Sequence, residues 1–229
     1  MSYDDAIRAL SADALRSVSD GQILGLGSGR AATALVESLS QMVRSNEISI
    51  RGVPTSLQIK MVAQNGGIPI VEADQVEHID TVFDGADQID SHGYLIKGGG
   101  GALLRENIII GMAAKVVIMA DSTKFVECLA RAVPVEIHPL ARRLAIRRIM
   151  DLGGRPEIRT LERGYPFITE NGNIILDCDF GRIAEPESLR QNIIAVPGVI
   201  ECGIFTRTPD IVYKAGTNGR FDVLRRDNA

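Results

Sequence analysis

The sequence predicts an α/β fold in which a parallel sheet carries helices on both faces and a smaller α+β segment follows it. Three observations predict it. Short apolar strands alternate with helical stripes through the first half of the chain, ending in a strand of buried type over 115–120. After Lys124 the order changes to β-α-β-β-α-β. A last β pair, 210–215 and 221–224, is separated by Thr217-Asn218-Gly219. Strands alternating with helices require crossover connections and hence parallel pairing. The second order is that of a split βαβ unit of the ferredoxin-like kind.

Element by element, residues 4–19 put Ile7, Leu10, Ala14, Leu15 and Val18 on one helical stripe, and Asp20-Gly21 stops it. Residues 22–26 form a short apolar strand. Gly25, Gly27 and Gly29 break it, and helical spacing resumes over 31–43. A second strand is predicted over 48–53 and a helix over 56–64, ending at Gly66-Gly67. Apolar runs follow at 68–71, 79–83 and 94–96, then a helix over 102–112 and the strand 115–120. In the second half, strands at 133–137, 157–161, 173–177 and 199–205 enclose helices at 140–152 and 186–194, with a hairpin tip near 163–172. The final β pair is expected to rejoin the first domain. No internal repeat or low-complexity segment interrupts the chain.

Bulk values narrow the function classes. The 229 residues, 45% apolar and 24% charged, suffice for a real core and have the make-up of a soluble globular protein. The net charge is -4, and Lys and Arg are scattered, so no nucleic-acid surface is expected. Apolar stretches are strand-length and residues 1–10 hold no apolar block. Neither a membrane span nor a secretory signal is therefore expected, and the cytoplasm is the default location. Cys128, Cys178 and Cys202 form no CxxC pair, and His78, His92 and His138 lack ligand spacing. Buried thiols, no disulfide and no metal follow as expectations. Carboxylates, lysines and backbone amides are left to supply the chemistry.

Gly25-Leu26-Gly27-Ser28-Gly29-Arg30 joins the first strand to its helix. Such a loop can bring backbone amides onto an anion at a helix N-terminus. The loop is therefore a plausible phosphate site. A dinucleotide site would want glycine where Arg30 stands, and an acidic residue closing the second strand. That strand runs instead into Gly52-Val53-Pro54-Thr55-Ser56. A tight turn without a ligand is the other alternative.

Asp84-Gly85-Ala86-Asp87 follows the run 79–83 and so ends a strand, on the edge where open α/β sheets bind ligands. Two carboxylates three residues apart can converge on one small polyol, accepting its hydroxyls or carrying protons. A solvated turn with an Asx cap is the bland alternative. Lys97-Gly98-Gly99-Gly100-Gly101 comes next. Consecutive glycines cost chain entropy and can form an amide nest, and Lys97 stands where a cation could meet an oxyanion. Glu106 falls in the first turn or so of the following helix. It is either a surface acid complementing the helix dipole or, beside Asp84, Asp87 and Lys97, a general base. Asp121 and Lys124 close the strand 115–120. Lys124 is either a cation for a phosphate or hydroxyl or a surface lysine.

Together these segments resemble the A-type ribose-5-phosphate isomerases. The matching pieces are the Gly-Leu-Gly-Ser-Gly loop, Pro54-Thr55-Ser56, Asp84-Gly85-Ala86-Asp87, Lys97-Gly98-Gly99-Gly100, Arg105-Glu106, Ala120-Asp121 through Lys124, and Val133-Pro134-Val135-Glu136, in the family's order over nearly the whole length. The resemblance implies a Rossmann-like parallel-sheet domain, here 1–130 plus 206–229, with an inserted ferredoxin-like α+β domain at 131–205. It implies a homo-oligomer, dimer or tetramer, built partly through that insert. It also implies a sugar phosphate substrate and cofactor-free interconversion of D-ribose 5-phosphate and D-ribulose 5-phosphate through an enediolate, in the non-oxidative branch of the pentose phosphate pathway. On this likeness Glu106 is the proton-transferring base and Asp84 and Asp87 are the sugar-handling aspartates. Lys97 with Gly98, Gly99 and Gly100 is the oxyanion cradle. Gly85, Ala86, Asp121 and Lys124 are substrate contacts, and Ser28 through Ala31 grip the phosphate. The family usually has hydroxyl residues after Gly29, where this chain has Arg30 and Ala31. Arg30 either replaces them as a bidentate clamp or points away.

Overall fold

The computed structural model describes residues 3–226, and the chain divides into two compact units. The first unit comprises the chain up to Ala86, Arg105–Lys124, and the chain from Pro209 on; the second comprises Asp87–Leu104 and Phe125–Thr208. No helix among the described residues is long and apolar enough to cross a membrane.

The first unit holds α1 (Tyr3–Leu15), β1 (Ile23–Leu26), α2 (Arg30–Arg44), β2 (Arg51–Pro54), α3 (Leu57–Asn65) and β3 (Ile79–Asp84). Most of α4 (Leu103–Met112) and all of β6 (Ala113–Asp121), β12 (Ile211–Ala215) and β13 (Phe221–Arg225) complete it. Its six-stranded sheet runs β13-β12-β6-β3-β1-β2. Every neighbouring pair is parallel except β12 with β13. Taken in chain order, the parallel strands stand 2-1-3-4-5. The order reverses between β1 and β3, the switch point at whose carboxyl edge such sheets open a crevice.

The sequence pattern explains these placements. All four residues of β1 are buried, because helices cover both faces of a parallel sheet; the strand therefore reads as a continuous apolar run. Pro54 stands in β2 at the sheet's edge, where a missing amide is tolerated. In α2 the buried Ala31, Ala32, Leu35, Val36 and Leu39 line one stripe. That stripe shares a core with Leu10 and Ala14 of α1 and with Leu24, Leu26, Phe83 and Met119 of the sheet. Ser56 caps α3, its hydroxyl accepting from the Ile59 N–H at 3.3 Å. The closing pair lies in the first unit, where it joins the six-stranded sheet with Val212 opposite Ile118. The run 68–71 makes only a bridge, Gly52 to Ile70. Pro69 has no amide to extend a ladder, and its carbonyl accepts from the Gly52 N–H at 2.8 Å.

In the second unit, β7 (Val133–Ile137), α5 (Arg142–Asp151), β8 (Arg155–Ile158), β9 (Ile174–Asp179), α6 (Pro186–Ile194) and β10 (Val199–Cys202) follow in the predicted β-α-β-β-α-β order. Their sheet runs β10-β7-β9-β8 with every pair antiparallel. Counted in chain order this is 4-1-3-2, the ferredoxin-like arrangement. Val133, Val135 and Ile137 pack with Ala145, Ile149, Leu176 and Ile193 in its core.

The predicted strand 199–205 breaks at Gly203. Beyond it, β11 (Ile204–Phe205) joins a three-stranded sheet with β5 (Leu95–Ile96) and β4 (Gln88–Ile89). A Cβ on Gly203 would lie 2.5 Å from the Lys97 carbonyl oxygen and 2.8 Å from Pro134 Cδ, so only glycine permits the crossing. This small sheet carries Asp87–Leu104 into the second unit. The sequence places those residues within 1–130 instead, since two-residue strands leave almost no periodic signal.

Candidate active site

The loops leaving β1 and β3 meet at the switch point of the first unit. The Gly27 N–H donates to the Phe83 carbonyl at 2.8 Å. The Ser28 N–H donates to Asp84 Oδ1 at 3.2 Å, and the Gly85 N–H to the same oxygen at 2.7 Å. The approach is close: a Cβ on Gly27 would lie 2.2 Å from Asp84 Oδ1. Gly25, two residues earlier and so on the same face of β1, does the same for α4. A Cβ there would lie 2.7 Å from Ile109 Cγ2. The two glycines thus clear the room into which Asp84 and α4 move.

Glu106 is carried by the first turn of α4 and is 5% exposed; Asp84 is 1% exposed. The Ser28 hydroxyl donates to Glu106 Oε1 at 3.4 Å. One serine therefore reaches both carboxylates, Asp84 through its amide and Glu106 through its hydroxyl. Burying carboxylates is expensive, and these two lie at the strand edge where open α/β sheets bind ligands. Lys124, in the turn after β6, donates from Nζ to the Ala86 carbonyl at 3.2 Å. The first unit therefore gathers Ser28, Asp84, Gly85, Ala86, Glu106 and Lys124 along one strand edge.

The side chains of three sequence candidates in this unit are turned to other work. Arg30 Nη2 pairs with Asp4 Oδ1 at 2.6 Å, and the guanidinium lies 4.8 Å from the Tyr3 ring centroid. Its side chain is 64% exposed, so of the two alternatives for Arg30 it points away, onto α1. Ala31 is buried in the core beneath α2. Asp121 accepts from the Thr123 N–H at 2.9 Å and from the Thr123 hydroxyl, closing its own turn. Gly29 precedes α2 as its N-cap with φ 88°, a conformation that favours glycine. Thr55 and Ser56 serve the fold: the Thr55 hydroxyl donates to the Leu26 carbonyl at 3.1 Å, and Ser56 caps α3.

The remaining candidates belong to the second unit. Asp87 receives the Gly99 N–H on Oδ2 at 2.7 Å, and its own N–H donates to the Ile96 carbonyl at 2.8 Å. Lys97 is 2% exposed, with Nζ 5.7 Å from the Phe205 ring centroid. Gly98 and Gly101 have φ of 99° and 83°, and the Gly101 N–H closes on the Gly98 carbonyl at 3.0 Å. The sequence gives no hint of Arg159, whose Nη1 donates to the carbonyls of Gly98 at 2.8 Å and Gly99 at 3.1 Å. Within Arg155-Pro156-Glu157-Ile158-Arg159 it reads as an ordinary surface charge.

Fold and site define an α/β protein with paired carboxylates at the switch point of its parallel sheet. A family model described as ribose 5-phosphate isomerase A (phosphoriboisomerase A) matches residues 51–219. The chain belongs to this family. It is 41% identical over 220 residues to the ribose-5-phosphate isomerase A of Roseiflexus sp. (strain RS-1), covering 94% of each chain. A solved D-ribose-5-phosphate isomerase in complex with phospho-erythronic acid superposes with a TM-score of 0.93 at 35% identity, covering 99% of this chain and 100% of that one. The ribose 5-phosphate isomerase A of Methanocaldococcus jannaschii gives 0.91 at 36% identity, covering 98% of this chain and 100% of its own.

Proposed function

We propose that the chain interconverts D-ribose 5-phosphate and D-ribulose 5-phosphate as an aldose-ketose isomerase, with Glu106 as the proton carrier. The observation that supports Glu106 is its burial next to Asp84, with Ser28 reaching both carboxylates at the carboxyl edge of β1 and β3. The proton on carbon 2 of the open aldose is acidified by the neighbouring carbonyl. Glu106 removes it, an enediolate forms, the hydroxyl proton on oxygen 2 passes to oxygen 1, and Glu106 returns the carbon-bound proton to carbon 1. A single carboxylate serves because the two carbons are adjacent. Asp84 or Asp87 assists ring opening. Lys97 and the amides of Gly98 and Gly100 receive the negative oxygen, while the Gly99 amide holds Asp87. The loop from Ser28 to Ala31 receives the phosphate at the start of α2 through the amides of Gly29 and Ala31, the Ser28 amide being held by Asp84, and Lys124 adds a positive charge. Arg30, tied to Asp4, takes no part. A cytoplasmic location and a homodimer or homotetramer complete the reading; sedimentation of the purified chain tests the oligomer, and a monomer would remove it.

The decisive experiment is a coupled assay of ribose 5-phosphate conversion, run with and without a chelator and repeated in deuterated water. Activity is expected to survive the chelator, and solvent deuterium to enter the sugar. Glu106→Gln is expected to lower kcat by about 10²- to 10⁴-fold, the usual worth of a general base. Its affinity for phospho-erythronic acid, whose carboxylate resembles the planar anion of the enediolate, should stay near that of the parent. Near-normal turnover of Glu106→Gln would remove Glu106 from this role.

A further inference from the structure

The direction of the glycine run in the second unit is set by one side chain. Arg159 Nη1 holds the carbonyls of both Gly98 and Gly99. Among the described residues every peptide bond is trans, and in a trans peptide the C=O and the N–H point opposite ways. The Gly99 N–H must then face away from Arg159, where it meets Asp87 Oδ2 at 2.7 Å. By the same rule the Gly100 N–H, in the plane of the Gly99 carbonyl, faces away from Arg159 too. Arg159 is itself locked. Its Nε donates to Asp177 Oδ2 at 2.9 Å and its Nη2 to Asp177 Oδ1. Its backbone is held by Ile175 and Phe167, each at 2.9 Å. Its guanidinium lies 5.7 Å from the Phe167 ring centroid, and the side chain is 15% exposed.

We propose that Arg159 is a positioning residue for the isomerisation. It fixes the Gly99 amide on Asp87 and turns the Gly100 amide to the same side, as a donor for the substrate's negative oxygen. Its charge, drawn onto the two carbonyls, also strengthens those amides as donors through hydrogen-bond polarisation. Lysine would keep the charge but lose the planar fork that holds Asp177 and the loop at once. The inference rests on the isomerase reading above and adds to it a residue that touches no substrate.

The test compares Arg159→Ala and Arg159→Lys with the parent for kcat, KM, melting temperature, affinity for phospho-erythronic acid, and the resting-state nuclear magnetic resonance shifts of the Gly99 and Gly100 amides. Removal of the guanidinium is expected to lower kcat by about 10²-fold, the scale of one misdirected oxyanion donor. The KM for ribose 5-phosphate should stay within a few-fold, and affinity for phospho-erythronic acid should fall with kcat. The lysine variant should retain more activity than the alanine variant, and guanidinium ion added to Arg159→Ala should restore part of the loss. Unchanged kcat and affinity would overturn the proposal. So would a loss in which KM rises as much as kcat falls and the melting temperature drops with them, since Arg159 would then serve the fold alone. If the alanine variant does not fold, Asp177→Asn, which loosens the guanidinium without removing it, carries the same expectation in weaker form. A parent chain without isomerase activity would defeat the isomerase reading instead. The amide shifts need no turnover: displaced Gly99 and Gly100 resonances uphold the role of Arg159, and unmoved ones overturn it.

Discussion

Ser28 and the glycines before it show how little side chain the site requires at its centre. Gly27 is there because Asp84 occupies the space its Cβ would fill, and Ser28 because one small residue offers both an amide and a hydroxyl. A glycine-serine loop at a strand end is legible in sequence, and so is an Asp-Gly-Ala-Asp turn. What a side chain does next depends on neighbours far along the chain. Arg30 looks like a phosphate clamp until Asp4, 26 residues away, is seen to hold it. Arg159 looks like a surface charge until Gly98, 61 residues away, is seen beneath it. Arg30→Ala is therefore expected to leave the KM for ribose 5-phosphate unchanged. It should cost no more than about 1 kcal/mol of stability, as an exposed ion pair contributes little. Steady-state kinetics and urea unfolding check this; a severalfold rise in KM would return Arg30 to the site.

At the scale of elements, two polar contacts pin pieces that periodicity alone cannot place. The Tyr213 hydroxyl on β12 donates to Asp13 Oδ2 of α1 at 3.0 Å. Burial, then the Asp13 carboxylate, pushes that hydroxyl up from 10.0 to about 12. A raised pKa in the folded state means that the neutral form is favoured by folding. The stabilisation is whole below pH 10 and drains away as pH climbs toward 12. The stability difference between the parent and Tyr213→Phe should therefore change across that window and be flat below it, as read by denaturant unfolding at stepped pH. Glu136 of β7 explains why Val-Pro-Val-Glu ends in an acid. Its Oε1 accepts from Thr169 Oγ1 at 2.8 Å, Asn171 Nδ2 at 3.0 Å and Asn173 Nδ2 at 2.9 Å, tying down the hairpin before β9. Glu136→Ala should destabilise the chain by about 3 kcal/mol, since charged hydrogen bonds are lost and buried donors left behind; an effect under about 1 kcal/mol in urea unfolding would contradict the assignment. Helices and long strands were legible because their apolar spacing is local. The break at Gly203 was not, because its cause is the Lys97 carbonyl, brought there only by the fold.

For the whole molecule, the cysteines report on how closed the second unit is. Cys178 and Cys202 are fully buried, whereas Cys128 is partly exposed. Burial pushes the Cys178 thiol far up and the Cys202 thiol up to about 12. Since the thiolate is the reactive form, a disulfide reagent should modify at most Cys128 in the native chain and all three cysteines after unfolding. Rapid native labelling of Cys178 or Cys202 would show the unit to be looser than its packing. The alternation of strands and helices announced the six-stranded and four-stranded sheets, and the residue types at the strand ends announced the carboxylates. The grouping of Asp87–Leu104 with the second unit was hidden, because pairing with β11 decides it.

β6 pairs with β3 on one edge and with β12 on the other, and residues 125–208 are made between β6 and β12. During synthesis, then, the nascent first sheet must wait with one edge of β6 open while the larger part of the second unit, Phe125–Thr208, leaves the ribosome. An unpaired strand edge is a template for wrong partners, so the interval before Ile211 emerges is when the newborn chain most depends on chaperones and is most prone to aggregate.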